Sequence, residues 1–171
     1  VAWRSLGRAH WDRGQFDDAA RCYKRAVRLD PRDYNSWAQL SAVLLRRHDP
    51  EAALEAADRA LALNPDFPLA HNNRGSVFQR LWRYAEALRE FDLAIEAESR
   101  TGGESAHTHN NRGYTRMRLG DYDGAIADFR VALRIDPYHA QADTNQTVAI
   151  RWRRGEGTAP QPAPPPREVR P

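Results

Sequence analysis

A block of residues recurs along this chain at a nearly constant step, and this repetition constrains the fold more than any other feature. Displaced by 34 residues, Leu29-Asp30-Pro31 falls on Leu63-Asn64-Pro65. After a step of 38, His71-Asn-Asn-Arg-Gly75 recurs unchanged as His109-Asn-Asn-Arg-Gly113. Repeats of this length indicate small units that cannot bury an apolar face alone and therefore stack on one another.

Each unit is predicted to form two helices. Alanine recurs at fixed positions of the second half, as Ala19, Ala53, Ala87 and Ala125, and small residues there let two helix backbones approach closely. Units end at Asx-Pro pairs, because proline cannot continue a helix. The predicted first helices are 1–13, 34–47, 68–81 and 106–119, and the predicted second helices are 17–30, 50–63, 84–100 and 122–136.

This order of residues resembles the tetratricopeptide repeat (TPR) family, whose signature runs Trp, Leu-Gly, Tyr, Ala, Phe, Ala and Pro. The resemblance covers residues 1–139 and implies an all-α fold, a right-handed superhelical array of antiparallel helix pairs (a TPR-like α-solenoid). Two kinds of residue depart from the signature. His71 and His109 replace the usual aromatic residue, and Arg74 and Arg112 replace the usual leucine.

The repeat register predicts where the units begin and end. The four repeats are expected at 1–33, 34–67, 68–105 and 106–139, and the third carries an inserted loop near Gly102-Gly103. A polar capping helix is expected at 140–154, because stacked repeats need a soluble end. The Pro-rich segment 155–171 is expected to be a disordered tail. Val1 stands inside the first predicted helix, which favours a chain that is part of a longer protein.

Catalytic and metal-binding motifs are absent from the sequence. It has no Gly-x-Ser-x-Gly, no phosphate-binding glycine loop and no His-Glu-x-x-His, so we expect neither enzyme activity nor a cofactor or metal. His107 and His109 are two residues apart, which on a helix directs them about 200° apart, and we expect a packing role for His109. The single cysteine, Cys22, has basic neighbours that could lower its pKa, but an inert thiol is favoured.

The helical wheel predicts which residues face a concave groove lined by the first helices. When Trp3, Trp37, His71 and His109 are numbered as the fourth residue of their units, the second, sixth, ninth and thirteenth residues lie opposite the buried face. Amides recur at the sixth position and arginines at the thirteenth. The predicted groove residues are Asn73, Asn111, Asn145, Arg46, Arg80, Arg118, Tyr114, Gln39 and Arg8.

The charge distribution favours an acidic ligand for this groove. The whole chain carries a net charge of +3, but the predicted first helices and cap together carry +11 and the second helices −5. Amides can hold a peptide backbone, and guanidinium groups can hold carboxylates with two hydrogen bonds. The sequence therefore predicts a noncatalytic module, a scaffold or adaptor, that binds an acidic protein or peptide segment.

Two other functions remain open at this point. The chain could be the regulatory or substrate-recruiting domain of a larger enzyme. Nucleic-acid binding through the basic groove is a weaker alternative, because the second helices are acidic and no row of aromatic residues accompanies the arginines.

Several further expectations concern partners and location. No apolar run is long enough to span a membrane, so no membrane partner and a cytoplasmic location are expected. The tail segment Pro162-Ala-Pro-Pro165-Pro-Arg167 matches a Pro-x-x-Pro-x-Arg string, a weak prediction of an SH3-type partner.

The resemblance also implies a test for one known ligand class. Some TPR domains clamp the acidic C-termini of chaperones with residues from three successive repeats. The first repeat supplies Lys at its fifth position and Asn at its ninth, the second supplies Asn at its sixth position, and the third supplies Lys at its second position and Arg at its sixth. From the first repeat, this chain offers Arg4, Arg8, Gln39, Leu69 and Asn73. No register supplies the full set, so tight binding of chaperone tails is not expected.

Overall fold

The computed structural model describes residues 2–157, and within them the chain forms nine α-helices and no strand. In chain order the helices are α1 (Ala2–Asp12), α2 (Phe16–Leu29), α3 (Tyr34–Arg46), α4 (Pro50–Leu63), α5 (Pro68–Arg80), α6 (Tyr84–Arg100), α7 (Ala106–Arg118), α8 (Tyr122–Ile135) and α9 (Ala140–Arg153). The all-α prediction is confirmed. Helix α6 is three residues longer than α2, α4 and α8, and five residues that include Gly102 and Gly103 connect it to α7, so most of the extra residues of the third repeat extend the helix and not the loop.

The helices pack in sequential pairs. Helix α1 packs on α2, α3 on α4 and α7 on α8, while α2 also packs on α3, α6 on α7 and α8 on α9. Two compact units can be distinguished, Val1–Val77 and Phe78–Pro171, and their boundary falls within α5. Each unit is described by itself below.

Side-chain caps fix where several helices begin. At each of these starts, the capping side chain accepts a hydrogen bond from the backbone N–H three residues later, which satisfies one of the donors that the first helical turn leaves open. The capping residues are Asp33, Asp49, Ser105 and Asp121. His139 caps α9 in the same way through Nδ1.

Small residues allow close contact within the helix pairs. A Cβ atom added to Gly7 would lie 2.9 Å from Cε1 of Tyr23, and one added to Gly113 would lie 2.8 Å from Cε1 of Phe129. The equivalent Ser41 donates a hydrogen bond from Oγ to the carbonyl of Ala53 at 2.7 Å. In each of these pairs, a small residue on the first helix therefore allows the second helix to pack closely against it.

No helix between residues 2 and 157 is long and apolar enough to cross a membrane. The expected SH3-type motif and most of the expected tail lie outside the described residues.

Candidate functional site

A hollow of about 440 Å³ opens where α1, α2 and α3 meet. It is lined by Arg4, Ser5, Arg8, Tyr23, Asn35 and Gln39. Four of these six residues occupy the second, sixth and ninth positions that the helical wheel directs away from the buried face. The lining combines two guanidinium groups, two amides and a phenol, which together offer many hydrogen-bond donors.

Arg4 is held in place at the edge of the hollow. Its Nη1 donates to Oδ1 and Oδ2 of Asp33 at 3.0 and 2.9 Å. Asp33 is partly buried, and burial raises its pKa, but hydrogen bonds from the backbone and side chain of Ser36 and from Arg4 outweigh that effect and lower the pKa below its ordinary value. The carboxylate that caps α3 thus also orients a cation toward the hollow.

Tyr23 contributes a buried hydroxyl to the same hollow. The side chain is fully buried, and its hydroxyl makes no hydrogen bond within the described part of the chain. Burial raises the pKa of the phenol, so it stays protonated and can donate at neutral pH. A buried polar group without a partner is costly, and a ligand oxygen would satisfy it.

The asparagines of the sixth position are placed differently from one another. Asn73 donates from Nδ2 to the carbonyl of Ala38 at 2.8 Å, and Asn145 donates from Nδ2 to Oδ1 of Asn110 at 3.0 Å. Both are at least nine-tenths buried. The helical wheel places this position opposite the buried face because it treats each helix alone, whereas here the preceding first helix covers it.

Two of the three arginines of the thirteenth position, Arg46 and Arg118, lie against aromatic rings. The guanidinium carbon of Arg46 is 5.3 Å from the ring centroid of Phe16. In the second unit, that of Arg118 lies 5.1 Å from the Trp82 ring and 5.0 Å from the Tyr84 ring. Stacking fixes the plane of a guanidinium group and leaves its edge available for hydrogen bonds.

The other predicted groove residues are partly or fully accessible. Arg8 is exposed and pairs with Asp12 through Nε at 3.0 Å. Tyr114 accepts a hydrogen bond from Nη1 of Arg118 at 3.3 Å. Asn111 is half-buried, and Arg80 at the end of α5 is exposed. Of the nine predicted residues, the hollow brings together Arg8 and Gln39.

The sequence placed Arg4 at a position of the chaperone-tail clamp but not among the predicted groove residues, and it did not single out Tyr23 or the aromatic residues beside Arg46 and Arg118. A signal for the rings was present, because the seventeenth position of the repeats reads Phe16, Pro50, Tyr84 and Tyr122. No sequence signal distinguishes the hydroxyl of Tyr23, because its lack of a partner depends on the surrounding packing.

A buried carboxylate in the fourth repeat lies against two arginines and a histidine. Asp128 is 2% exposed and accepts from Nε and Nη2 of Arg112 at 3.0 and 2.6 Å and from Nη1 of Arg116 at 2.8 Å. Nδ1 of His109 lies 3.6 Å from its Oδ1. Arg112 also reaches Oδ1 of Asp92 at 2.8 Å. These charges are neutralised inside the protein and are poorly placed for a ligand.

The histidines and the cysteine that were candidates for metal or thiol chemistry pack against other residues of the fold. No group of three or more His, Cys, Asp or Glu side chains in residues 2–157 could hold a metal ion. His109 is buried beside Asp128, while the exposed His107 ring packs edge-on against His139. Burial raises the pKa of the Cys22 thiol, so the basic neighbours do not activate it.

Comparisons with known proteins agree with this architecture. Models of the tetratricopeptide repeat match residues 1–33 and 106–139, residues 40–103 and residues 22–55. Superkiller complex protein 3 of Mus musculus is 34% identical over 95 residues, which is 56% of this chain but only 6% of that protein. The chain therefore spans a small fraction of the length of this relative.

Solved structures show the same fold at low sequence identity. The pilF protein of Pseudomonas aeruginosa superposes with a TM-score of 0.77 at 21% identity, covering 90% of this chain and 68% of that one. The first TPR of Spaghetti (RPAP3) superposes with a TM-score of 0.64 at 20% identity, covering 70% of this chain and 91% of that one. The repeat models, the helix pairs and these superpositions together establish that the chain belongs to the tetratricopeptide repeat family.

Proposed function

We propose that this chain is a noncatalytic protein-binding module that holds an acidic peptide segment along its first helices. The observation that carries the proposal is the hollow between α1, α2 and α3, where Arg4 and Arg8 flank the unpartnered hydroxyl of Tyr23. A carboxylate placed there would meet two cations and a neutral donor.

The chemistry of the hollow fits a carboxylate with a peptide backbone beside it. Arg4 uses Nη1 for Asp33, and its guanidinium group has further N–H donors on Nη2 and Nε. The amides of Asn35 and Gln39 each offer one acceptor and two donors, which suits the alternating N–H and C=O groups of a peptide. Hydrogen bonds between charged groups are the strong ones, so the carboxylate would contribute most of the affinity.

The remaining predicted residues extend this proposal along the chain. Arg46 is proposed as a further contact for a peptide that continues past the hollow. In the second unit, Asn111, Arg80, Arg118 and Tyr114 are proposed as contacts for an acidic segment that binds there. Asn73 and Asn145 are proposed to act indirectly, because their amide groups already join neighbouring first helices. Stacking on aromatic rings would hold Arg46 and Arg118 ready for an acidic side chain.

A structural neighbour supports the ligand class. The first TPR of Spaghetti was solved bound to the HSP90 peptide SRMEEVD, in which three of the seven residues are acidic. In this chain, Gln39 and Leu69 stand at two positions where the chaperone-tail clamp would have asparagine and lysine. We therefore expect acidic peptides to bind, and the chaperone tail itself to bind no more tightly than a scrambled peptide of the same charge.

The proposal can be tested with an array of short peptides that differ in their content of Asp and Glu. The best binder is then labelled, and its affinity is measured by fluorescence anisotropy at increasing salt. Tyr23→Phe removes only the unpartnered hydroxyl, so affinity should fall by about 0.5–1.5 kcal/mol while the melting temperature stays the same or rises. Arg8→Ala should cost up to about 1 kcal/mol and flatten the salt dependence.

Arg130→Ala is the matched control, because Arg130 is an exposed arginine of α8 that does not line the hollow. It should leave the affinity unchanged. Equal affinity in Tyr23→Phe, Arg8→Ala and the unmodified protein would place the peptide elsewhere and contradict the proposal. Preference for single-stranded RNA over every acidic peptide would favour the nucleic-acid alternative instead.

A further inference from the structure

The turn between α5 and α6 holds a tryptophan in an unfavourable conformation. Trp82 has a φ angle of 63°, in the left-handed region where a residue with a Cβ atom meets a steric cost. The residue is also 45% exposed, so its large ring is far from fully buried. A bulky side chain that is kept at the surface in such a conformation points to a role in binding rather than in packing.

Arg118 occupies the corner between Trp82 and a second aromatic ring. Its guanidinium carbon lies 5.1 Å from the Trp82 centroid and 5.0 Å from the Tyr84 centroid, and the two rings meet edge-on with their centroids 6.1 Å apart. Nη1 of Arg118 donates to the hydroxyl of Tyr114 at 3.3 Å. We call these four residues the Trp82 face. All four belong to the second unit, so the face can be considered within that unit alone.

The two sides of the Trp82 ring can hold different ligand groups. Arg118 lies over one side, and the exposed part of Trp82 leaves the other side accessible. A second cation at the accessible side would be repelled by the guanidinium group across the ring. Another aromatic ring can stack there in an offset geometry. The accessible side therefore favours an aromatic side chain over lysine or arginine.

The charges around the Trp82 face favour a ligand with a carboxylate. Residues 78–84 and 114–120 contain four arginines and no acidic residue. Two of these arginines are held in ion pairs, Arg83 with Glu86 and Arg116 with Asp128. The guanidinium group of Arg118 has five N–H donors in one plane and can hold a carboxylate with two of them. A nucleic-acid strand suits this place less well, because its phosphates would also meet α6, which has five acidic and two basic residues.

We infer that the Trp82 face selects acidic segments in which an aromatic residue stands two positions from an Asp or Glu. The carboxylate binds Arg118, and the aromatic ring stacks on the accessible side of Trp82. Side chains two positions apart in an extended peptide lie on the same side, separated by about 7 Å. This span suits two groups that contact the opposite sides of one indole, since Arg118 itself lies 5.1 Å from the ring centroid. The inference rests on the proposed function, because it names the kind of acidic segment that binds in the second unit.

The first unit is expected to lack this selectivity. Its turns have Gly14 and His48 at the position of Trp82. Arg46, the counterpart of Arg118, lies 5.3 Å from the Phe16 ring, and the turn residue that precedes this ring is the counterpart of neither an indole nor any other large ring system. Selection of an aromatic residue therefore belongs to the second unit.

The probe is the acetylated and amidated hexapeptide Glu-Ser-Phe-Ser-Glu-Gly, in which both glutamates stand two positions from the phenylalanine. Leucine replaces the phenylalanine in one control peptide, and glutamine replaces both glutamates in another. Each peptide is titrated into the isotope-labelled 171-residue chain, and NMR follows its indole and amide resonances. We expect saturable shifts of the Trp82 indole and of amides in 82–84 and 114–119. The Phe peptide should bind about two- to tenfold more tightly than the Leu peptide.

Two variants remove the ring and have different effects on stability. Trp82→Gly should make the Phe and Leu peptides bind equally. Trp82→Ala should do the same but unfold at a lower temperature than Trp82→Gly, because alanine keeps the steric cost of the left-handed turn. The same loss of selectivity in both variants would assign the effect to the ring and not to stability. Tyr138→Gly is the control and should keep the selectivity, since Tyr138 is an exposed aromatic residue of the same unit outside the Trp82 face.

Several outcomes would overturn the inference. Equal affinity of the Phe and Leu peptides, with both binding more tightly than the Gln peptide, would contradict it and leave the proposed function in place. If neither acidic peptide binds more tightly than the Gln peptide, the proposed function fails for the second unit and the inference fails with it. Shifts confined to Arg8 and Gln39 would place the peptide in the hollow of the first unit. Tighter binding of a short single-stranded RNA than of the Phe peptide at the Trp82 indole would make nucleic acid the ligand.

Discussion

Four residues adopt a left-handed backbone conformation in the turns of the helix pairs. They occupy the same repeat position, with φ angles of 72° at Gly14, 61° at His48, 63° at Trp82 and 86° at Gly120. Glycine adopts this conformation without a steric cost, whereas other residues meet a clash at Cβ. Trp82 occupies it while its ring packs edge-on against Tyr84 and beside Arg118. An edge-on ring pair and a cation–π contact are each worth about 0.5–1.5 kcal/mol, which is comparable with the backbone cost at this turn.

Exchanges at this turn position should shift stability in opposite directions. His48→Gly should raise the free energy of unfolding by about 1 kcal/mol, and Gly14→Ala should lower it by about as much. A Cβ at Gly14 would meet no atom within 4 Å, so the loss there comes from the backbone alone. Urea denaturation followed by circular dichroism measures both values. If Gly14→Ala is neutral, the left-handed geometry of the turn is not what limits this position.

At the scale of the helix, an ion pair between Arg112 and Asp128 joins α7 and α8. The first two repeats have apolar residues at the equivalent positions. The paired positions read Leu6 with Cys22 in the first repeat and Arg112 with Asp128 in the fourth. A buried ion pair is costly to desolvate, but removing one partner leaves an uncompensated charge and costs more. The pair therefore fixes how α7 meets α8 while adding little net stability over an apolar contact.

Loss of the carboxylate at Asp128 should destabilise the protein strongly. Asp128→Asn leaves Arg112 and Arg116 without their buried counter-ion, so the free energy of unfolding should fall by about 3–5 kcal/mol. Leu93→Asn, at an exposed position of α6, serves as the control and should change little. Thermal unfolding monitored by circular dichroism reports the difference. A change below about 1 kcal/mol would contradict the assigned role.

The same carboxylate should also give the fold a specific pH dependence. Burial raises the pKa of Asp128, but the nearby His109 ring, the hydrogen bonds from Arg112 and the positive charge of Arg116 outweigh this effect and lower the pKa below its ordinary value of 3.8. Because the folded pKa lies below the unfolded one, the stabilisation is complete above pH 3.8 and is lost as the pH falls further. The stability difference between the unmodified protein and Asp128→Asn should therefore shrink below that pH. A constant difference down to pH 2 would contradict the assignment.

Close contacts of alanines support the helix pairs. Ala87 and Ala94 on α6 are completely buried. Enlarging either residue to leucine should lower the free energy of unfolding by about 1–3 kcal/mol, because the neighbouring side chains cannot move aside. Leucine at Ala85, an exposed residue of the same helix, is the control. Neutral results at both buried positions would mean that the repeat register is wrong.

At the scale of the whole molecule, the last helix of the described residues, α9, is not followed there by a second helix of its own repeat. Helix α9 packs on α8 and contributes the buried residues Ala142, Asn145 and Ala149. Its outward residues include Asp143 and Thr144, which are exposed. The helix thus packs on α8 and presents polar groups to water, and we predict that it acts as a cap for the second unit.

Removal of this helix should expose the apolar side of α8. A chain that ends at His139 should unfold at a lower temperature and scatter more light at high concentration, because the packing around Ile126 and Leu133 is opened. A control chain that ends at Gly155, after α9, should match the full chain in both measurements. Equal melting temperatures for the two truncated chains would show that α9 is not a structural cap.

Much of this protein could be read from its sequence because repeats impose local and periodic constraints. The spacing of alanines, Asx-Pro pairs and turn residues determined the number of helices and their bounds to within two residues. It also assigned His109 and Cys22 to packing rather than chemistry. These features depend on helix periodicity and chain breaks, which act over a few residues and need no knowledge of neighbouring units.

Only the tertiary structure decided how side chains from different helices meet. The asparagine column looked uniform in sequence, yet Asn73 and Asn145 are buried by the preceding first helix while Asn111 is half-exposed. Arg46 and Arg118 likewise owe their ring contacts to other segments, Phe16 of α2 and the turn and first residue of α6, and the free hydroxyl of Tyr23 arises from packing between α1 and α2. The physical reason is that a helical wheel gives a direction around one axis, whereas burial and hydrogen-bond partners depend on what lies in that direction.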